Sequence, residues 1–313
     1  MYRHLLVPVD GTDASIEALG QAVEFAQSIG ARITFCPRPA CLTASSGEAQ
    51  TDRPAQPPAD DVTGELLARA EAAARAQGVP CSLASPGANA AASVIAATAR
   101  AHGCDLICVA PWPLAPSNGT SEHGMTTVDG GGVAVLTSAI DPRPAVARAI
   151  GILLAGQRTI AAHLHAALRV ARITCRPDRP FEPATLHEIA GHLKELQRPD
   201  HHAMTEALFA RLRTHTSAVD AELDELGRQH QRANQMFDEL VRLVARGGES
   251  AAAGMTIEEG LRACARFTWE NMGRKEGVVL PAARRYLSDT DWHALAQEFS
   301  AGPTDKSPSP PTL

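Results

Sequence analysis

Aromatic residues are scarce in this chain, at 4% of its 313 residues, and positive charge is not in excess, since the net charge is -6. Nucleic-acid-binding proteins usually present a basic surface, and those that bind single strands add aromatic side chains for base stacking. The lack of both features argues against nucleic acid or an anionic membrane as the main partner. No apolar run approaches the roughly 18–20 residues that a membrane helix needs. The first residues lead directly into a predicted strand without a signal-peptide pattern, so we expect a cytoplasmic protein.

A disulfide framework is also lacking. The seven cysteines are odd in number and include no C-x-x-C motif. This pattern indicates buried or free thiols in a reducing compartment. Apolar residues make up 44% of the chain and charged residues 20%, which is typical of a soluble globular protein. The length is sufficient for two domains, each with its own core.

The first 138 residues alternate between short apolar runs and helical patterns. An apolar run at residues 4–10 ends in Asp10, and a turn containing Thr12 leads to a helical pattern that stops near Gly30. A second strand follows at residues 32–36, which completes a βαβ unit and requires a parallel sheet. The alternation continues with helices at 63–77 and 88–102 and strands at 80–85, 105–110 and 133–137. We therefore predict an open α/β sheet with helices on both faces.

Two segments of this first half resemble the universal stress protein family. The sequence YRHLLVPVDGT at residues 2–12 is similar to that family's opening strand and turn, and DLICV at residues 105–109 is similar to its fourth strand. The resemblance spans residues 1–138. It implies that Asp10 and Thr12 lie where ATP-binding members hold the nucleotide, at the carboxyl end of a strand. It also implies a homodimer formed through the last strand of this domain.

The phosphate-binding part of the family pattern differs in this chain. ATP-binding members carry a glycine motif after the fourth strand, whose backbone N–H groups hold the phosphates. Here three prolines occupy residues 111–116, and Gly119 and Gly124 have the wrong spacing. We therefore expect no ATP binding and a degenerate, structural domain. In that case Asp10 only caps the helix that follows it.

Beyond residue 138 the strand patterns disappear. A proline-containing linker is predicted at residues 139–146, and a helical domain at 147–299. Helices are predicted at 145–173, 182–197, 201–213, 217–245, 256–278 and 289–299. Long amphipathic helices joined in this way form an up-and-down four-helix bundle. The proline-rich tail at residues 300–313 is predicted to be disordered.

The helical half resembles the hemerythrin-like, or HHE cation-binding, family. The resemblance rests on HHAMTEALFARL at residues 201–212, LDELGRQH at residues 223–230 and FTWENMGRKEGVVLPAA at residues 267–283. It implies a di-iron centre held by a His from the first helix, H-x3-E from the second, H-x3-His/Glu from the third and H-x3-E from the fourth. The positions kept in this chain are His202, Glu206 and His230.

Helix geometry supports the pairing of the first two of these residues. Side chains four residues apart stack on one face of a helix, so His202 and Glu206 can point at one atom between helices. An imidazole beside a carboxylate suits iron or zinc. The alternative is a solvent-exposed pair of charged residues, which is common on helices. A single metal held by these two residues, His230 and water remains open, and three protein ligands with an open position suit zinc.

Other ligand positions have changed. Gln157, Asn234 and Asn271 stand where His or a carboxylate is expected, and Lys275 replaces the carboxylate of the fourth helix. An amide oxygen is a poor iron ligand, and an ammonium group repels cations. We expect Lys275 to pair with Glu206 inside the bundle and so to replace the lost metal charge.

The remaining histidines of the first bundle helix do not extend the site. His163 and His165 do not share the face of Gln157, and we expect them on the surface. Nothing supplies a nucleophile with an oriented base, so we expect no enzyme. The sequence favours a stress-associated binding or sensing protein whose di-iron site is largely degraded. The alternative is a metal-binding protein that handles iron, dioxygen or nitric oxide, and a third is nucleotide binding by the first domain. The sequence identifies no protein partner.

Overall fold

The chain forms a parallel-sheet domain followed by a helical domain. The computed structural model describes residues 2–38, 59–84, 92–110, 132–139, 141–174, 182–198, 200–246 and 251–301. Three predicted features lie outside these residues: most of the loop after residue 37, the glycines at positions 119 and 124, and the tail from residue 302.

Five parallel strands form the sheet. They are β1 His4–Val9, β2 Arg32–Pro37, β3 Cys81–Leu83, β4 Leu106–Val109 and β5 Ala134–Thr137. Their order is β3-β2-β1-β4-β5, and every pair is parallel, which confirms the predicted α/β sheet. All six residues of β1, in the middle of the sheet, are buried. A continuous apolar strand is typical of a parallel sheet that is covered on both faces.

Helices cover both faces of this sheet. They are α1 Asp13–Ile29, α2 Ala59–Ala76 and α3 Ala92–Ala101. Alternate residues of β1 face opposite sides, so Leu5 packs in one core with α1 and α2, whereas Leu6 packs in another with α3. Helix α1 begins at the Thr12 cap, whose side chain accepts from Ser15 N, and ends at Gly30 with a φ of 67°. That left-handed conformation favours glycine.

The structure describes seven helices in the helical domain. Its helices are α4 Pro144–Thr174, α5 Pro183–Leu196, α6 Asp200–His215, α7 Asp220–Ala245, α8 Ala251–Arg274, α9 Leu280–Tyr286 and α10 Asp289–Ala301. A π turn at Lys275–Val279 joins α8 to α9. Two apolar cores run through this domain, one with α4, α6 and α10 and the other with α4, α5, α7 and α8. The predicted helical bundle is confirmed.

Helix α4 departs from the expectation of no membrane-length apolar run. Within the described residues, this helix alone is long and apolar enough to cross a membrane by length and composition, although 44% of that stretch is buried inside the protein. It packs against α5, α8 and α10. Apolar residues on several sides are also what the central helix of a bundle requires.

Helix α2 of the sheet domain packs closely along α8 and the π turn of the helical domain. A Cβ added at Gly273 would lie 2.1 Å from the carbonyl oxygen of Arg69, and one at Gly277 would lie 2.5 Å from Ala73 Cβ. Only glycine permits such an approach between two backbones. The two domains therefore share an interface that depends on glycines of α8 and the π turn.

Candidate binding site in the helical domain

A cavity of about 350 Å³ opens between α6, α7 and α8. Its walls combine apolar side chains with a group of polar ones. The polar group includes the three predicted metal-site residues and three of the residues that differ from the family pattern. These are His202, Glu206, His230, Asn234, Asn271 and Lys275. These six positions line one cavity, whereas Gln157, the expected first-helix position, is not among its lining residues.

His202 of α6 and His230 of α7 stack face to face across the cavity. Their ring centroids are 3.5 Å apart and the rings are 2° from parallel. Burial lowers the pKa of His202, and burial together with His202 and Lys275 lowers the pKa of His230 to about 4. Both rings are therefore neutral near pH 7, which allows two imidazoles to lie in contact. His230 Nε2 also lies 2.9 Å from the amide nitrogen of Asn234.

Glu206 lies at the rim of the cavity. Its Oε1 atom is 3.4 Å from His202 Nε2, and its side chain is 52% exposed. Within the part of the chain that the structure describes, no three His, Cys, Asp or Glu side chains are grouped to hold a metal ion. The assignment of His202, Glu206 and His230 as metal ligands stays a prediction.

Lys275 enters the cavity from the π turn. Burial lowers the pKa of its ammonium to about 8. The expected ion pair with Glu206 was wrong, because no described carboxylate forms an ion pair with Lys275 and Glu206 contacts His202 instead. The cavity thus contains a cation without a directly bonded counter-charge among the described residues.

Two of the changed ligand positions, Asn271 and Gln157, differ in their hydrogen bonding. Asn271 Nδ2 donates to Gln229 Oε1 at 3.3 Å, so one substituted position is bonded to a neighbouring helix. Gln157 is 4% exposed, and neither its amide nitrogen nor its amide oxygen has a partner among the described residues. A buried amide without hydrogen bonds is costly, and Gln157 occupies the position of the expected first-helix ligand.

A buried charge cluster links the π turn to the sheet domain. Arg69 of α2 donates to Glu276 and to Glu65, and Glu65 Oε2 lies 2.7 Å from His165 Nε2. Burial raises the pKa of Glu276, although Arg69 opposes this rise. Burial also acts to raise the pKa of Glu65, but bonds from His165 and the charge of Arg69 outweigh it and lower that pKa.

Sequence reasoning missed this cluster. His165 was expected on the surface, but its side chain is 6% exposed and stacks on Trp269 with centroids 5.3 Å apart. The i,i+4 spacing of Glu65 and Arg69 was the available signal, but such pairs are usually solvent-exposed. Only the docking of the second domain makes them buried.

Asp10 and Thr12, the predicted cofactor-binding residues, form hydrogen bonds with each other within their turn. Thr12 donates to Asp10 Oδ1 from both its backbone nitrogen and its hydroxyl, at 3.0 and 2.7 Å. Arg38 approaches Asp10 Oδ2 at 3.3 Å. The expectation that Asp10 caps α1 was wrong, because Thr12 is the cap and Asp10 instead accepts hydrogen bonds from Thr12. The segment after β4 lies outside the described residues, so the assignment of Asp10 and Thr12 to a nucleotide stays a prediction.

Comparison with known proteins separates the two halves of the chain. The model of the universal stress protein family matches residues 1–111, and that of the hemerythrin HHE cation binding domain matches residues 153–283. Among solved structures, the chain is similar to a protein from the universal stress protein family from Burkholderia pseudomallei, at 20% identity and a TM-score of 0.30 over 44% of this chain and 97% of that one. It is also similar to the universal stress protein UspA from Lactobacillus plantarum, at 23% identity and a TM-score of 0.24 over 44% of this chain and 98% of that one. No curated protein matches the chain.

Proposed function

Because the chain joins a universal stress protein domain to a hemerythrin HHE cation binding domain, as its sequence patterns predicted, we propose that it is a cytoplasmic stress-associated binding or sensing protein. The two family matches support a stress-related protein with a helical domain of the cation-binding type. Our more specific proposal is that the helical cavity has lost the ability to hold a pair of irons. We further propose that the protein is not an enzyme.

The observation that carries this proposal is the position of Lys275. Its ammonium shares the cavity with His202 and His230, and it contributes to the lowered pKa of both imidazoles. Two like charges about 4 Å apart repel by about 4 kcal/mol at the effective dielectric constant of a partly exposed site. An ammonium close to both histidines would therefore oppose each iron ion.

The donor set supports the same conclusion. Iron prefers imidazole and carboxylate ligands, and the cavity offers two imidazoles and one carboxylate, which is half exposed. Asn234 and Asn271 add neutral amides in place of stronger donors, and the Asn271 amide is bonded to Gln229. Too little negative charge converges here to offset two multiply charged cations, so the residues do not fit a di-iron centre.

The absence of an arranged catalytic group supports a binding role. The two cavity histidines stack on each other, and the lone cavity carboxylate is paired with one of them. General acid–base or nucleophilic catalysis needs a base oriented towards a reacting group. Among the described cavity walls, His202, His230 and Glu206 instead contact one another.

A single-metal site is the alternative. His202, Glu206 and His230 line the same cavity, and His202 lies 3.4 Å from Glu206. A rotation of these side chains would give three ligands and an open position, as in zinc sites. Such a reduced site would keep a metal-handling role for this domain.

Metal analysis separates the two candidates. The full chain is purified without chelators from cultures supplemented with iron and zinc, and metal content is measured by inductively coupled plasma mass spectrometry. We expect less than one metal ion per chain. Two irons per chain would contradict the proposal, whereas one metal ion that is lost in His202→Ala would establish the single-metal site.

A gain-of-function variant tests the role of Lys275 directly. Lys275→Glu combined with Asn271→His restores two of the lost donors and should increase the iron content. Lys194→Glu is the matched control because it makes the same charge change at an exposed position of α5, outside the cavity. Equal iron content in both variants would show that Lys275 does not exclude the metal.

A further inference from the structure

We propose that this cavity binds a small organic monoanion, a carboxylate with a compact apolar group, whose negative charge pairs with the ammonium of Lys275. This inference rests on the proposed function, because it requires a cavity without two irons. The site would then have changed from binding cations to binding an anion within the same fold.

Lys275 gives the cavity a positive charge. It forms no ion pair with any described carboxylate, and its position in the π turn is fixed by the two residues that follow it. Glu276 is bonded to Arg69, and Gly277 lies against Ala73. The carboxylate that acts most on Lys275 is that of Glu276, which Arg69 already neutralises. A bound anion would therefore offset the cost of burying the ammonium.

Neutral side chains surround the ammonium. The rings of His202 and His230 stack on each other with centroids 3.5 Å apart, and the amide of Asn271 lines the same cavity. Asn271 uses one amide hydrogen towards Gln229 and keeps a second, which can be donated to a carboxylate oxygen. Arg198 also lines the cavity, but its guanidinium is exposed and pairs with Glu195 at 3.4 Å. The ammonium of Lys275 with neutral donors beside it matches a single negative charge better than a doubly charged group.

Much of the cavity wall is apolar. Ile160, Phe209, Phe237, Phe267 and Met272 line the cavity together with the polar residues. Small-molecule sites are mostly apolar, with a few placed polar groups, and have volumes of about 300–1,000 Å³. At about 350 Å³ this cavity is at the small end of that range. Glu206, the carboxylate of the cavity wall, is half exposed at the rim, so the interior stays free of a competing anion.

The test uses three small acids and their neutral amides as probes. The metal-analysed full chain is titrated by calorimetry with sodium butyrate, benzoate and phenylacetate, and with butyramide, benzamide and phenylacetamide. A charge-assisted hydrogen bond contributes about 1.5–3 kcal/mol, which corresponds to at least about tenfold in affinity. We expect at least one acid to bind saturably and at least about tenfold more tightly than its amide.

Variants assign the binding to Lys275. Lys275→Met should weaken acid binding by at least about tenfold, Lys275→Arg should retain most of it, and Lys194→Met should leave it unchanged. Circular dichroism and the thermal midpoint show whether each variant is folded. Failure of all three acids to bind, equal binding of acids and amides, or equal binding by folded Lys275→Met would overturn the inference.

The metal content of the same samples distinguishes the two possible failures. Two irons per chain would mean that the proposed function itself is wrong. Metal-poor protein that binds none of the acids would overturn only the anion site.

Discussion

Arg69 of α2 donates hydrogen bonds to both carboxylate oxygens of Glu276 in the π turn, across the boundary between the two domains. The two side chains are 5% and 2% exposed. Arg69 also donates to Glu65 at 2.6 Å. One guanidinium therefore holds two buried carboxylates, and it anchors the residue next to Lys275.

Replacing Arg69 should strongly destabilise the protein. Arg69→Met leaves Glu65 and Glu276 without their cation, and breaking a buried ion pair from one side costs about 3–5 kcal/mol. Urea denaturation followed by circular dichroism measures the loss in the free energy of unfolding. Adding Glu276→Gln should recover part of that loss, because a neutral amide is easier to bury than a carboxylate.

The matched control for this substitution is Arg75→Met on the same helix. Arg75 pairs with Glu71 at 2.8 Å, but its side chain is 62% exposed. Exposed i,i+4 pairs contribute about 0.3–0.5 kcal/mol, so we expect a loss below about 1 kcal/mol. Similar losses at positions 69 and 75 would show that the buried cluster has no special role in stability.

A methyl group at the domain interface should also be poorly tolerated. In Gly273→Ala the new Cβ would lie 2.1 Å from Arg69 O and 2.8 Å from Arg69 C, so helix α2 must shift. Overpacking of this kind costs about 1–3 kcal/mol. The loss is measured as the change in the free energy of unfolding in urea.

Gly191→Ala on α5 provides the control, because nothing lies within 4 Å of its added Cβ. Alanine in a helix is favoured over glycine by about 0.5–1 kcal/mol, so this variant should be slightly more stable. If Gly273→Ala also gains stability, the two domains do not pack as closely as described.

The low pKa of His230 predicts that the protein loses stability in acid. Its folded-state pKa, about 4, lies below the ordinary value of 6.5, because of burial and the nearby His202 and Lys275. As the pH falls from 6.5 towards 4, the unfolded chain takes up a proton that the folded chain does not. The stabilisation is therefore complete above pH 6.5 and is lost as the pH falls through this window.

Thermal unfolding at pH 7 and pH 5 measures this effect in His230→Asn. His230 is partly exposed, so we discount its contribution to about 1 kcal/mol, which corresponds to about 2–4 °C in the thermal midpoint. Between pH 7 and pH 5 the thermal midpoint of His230→Asn should fall less than that of the parent protein, and the difference should be about 2–4 °C. The exposed His293→Asn is the control and should drop as much as the parent. If the midpoint of His230→Asn falls as much as that of the parent protein, the lowered pKa of His230 is contradicted.

We expect the predicted homodimer to form at the β5 edge of the sheet. All four residues of β5 are exposed, including Leu136 at 43%, although the strand pairs with β4. An exposed apolar edge strand offers unpaired backbone groups to a second copy. We expect light scattering to give twice the chain mass of 33.0 kDa, and Leu136→Lys to give monomers.

Leu83→Lys is the matched control at the opposite edge of the same sheet. Leu83 of β3 is 44% exposed, so the two substitutions add the same charge to equally exposed leucines. The control should stay dimeric. A monomeric parent protein, or dissociation by both variants alike, would contradict a dimer formed through β5.

The sequence predicted the elements of this structure better than their contacts. Helical and strand periodicity depends on local burial, which is why the sheet and the bundle were predicted with nearly the observed helices. The spacing of His202 and Glu206 likewise placed both on one face of α6. Periodicity carries no information about which polar face docks on a second domain, so the burial of Arg69 and His165 was not predicted.

The incorrect prediction of an ion pair for Lys275 has a local structural cause. Sequence spacing assumed a continuous α-helix through residues 256–278, whereas Lys275–Val279 forms a π turn. Hydrogen bonds in a π turn span five residues instead of four, and this rotates the side chains relative to the preceding helix. Lys275 accordingly lines the cavity and lowers the pKa of both stacked histidines, but it forms no ion pair with Glu206.

The most direct test of the account is the anomalous X-ray scattering of crystals of the full chain, grown with iron and without chelators and measured at the iron absorption edge. We expect no pair of iron peaks between α6, α7 and α8, and we expect Lys275 Nζ to lie inside the cavity. Two iron peaks among His202, Glu206 and His230, with Lys275 turned out towards solvent, would contradict it.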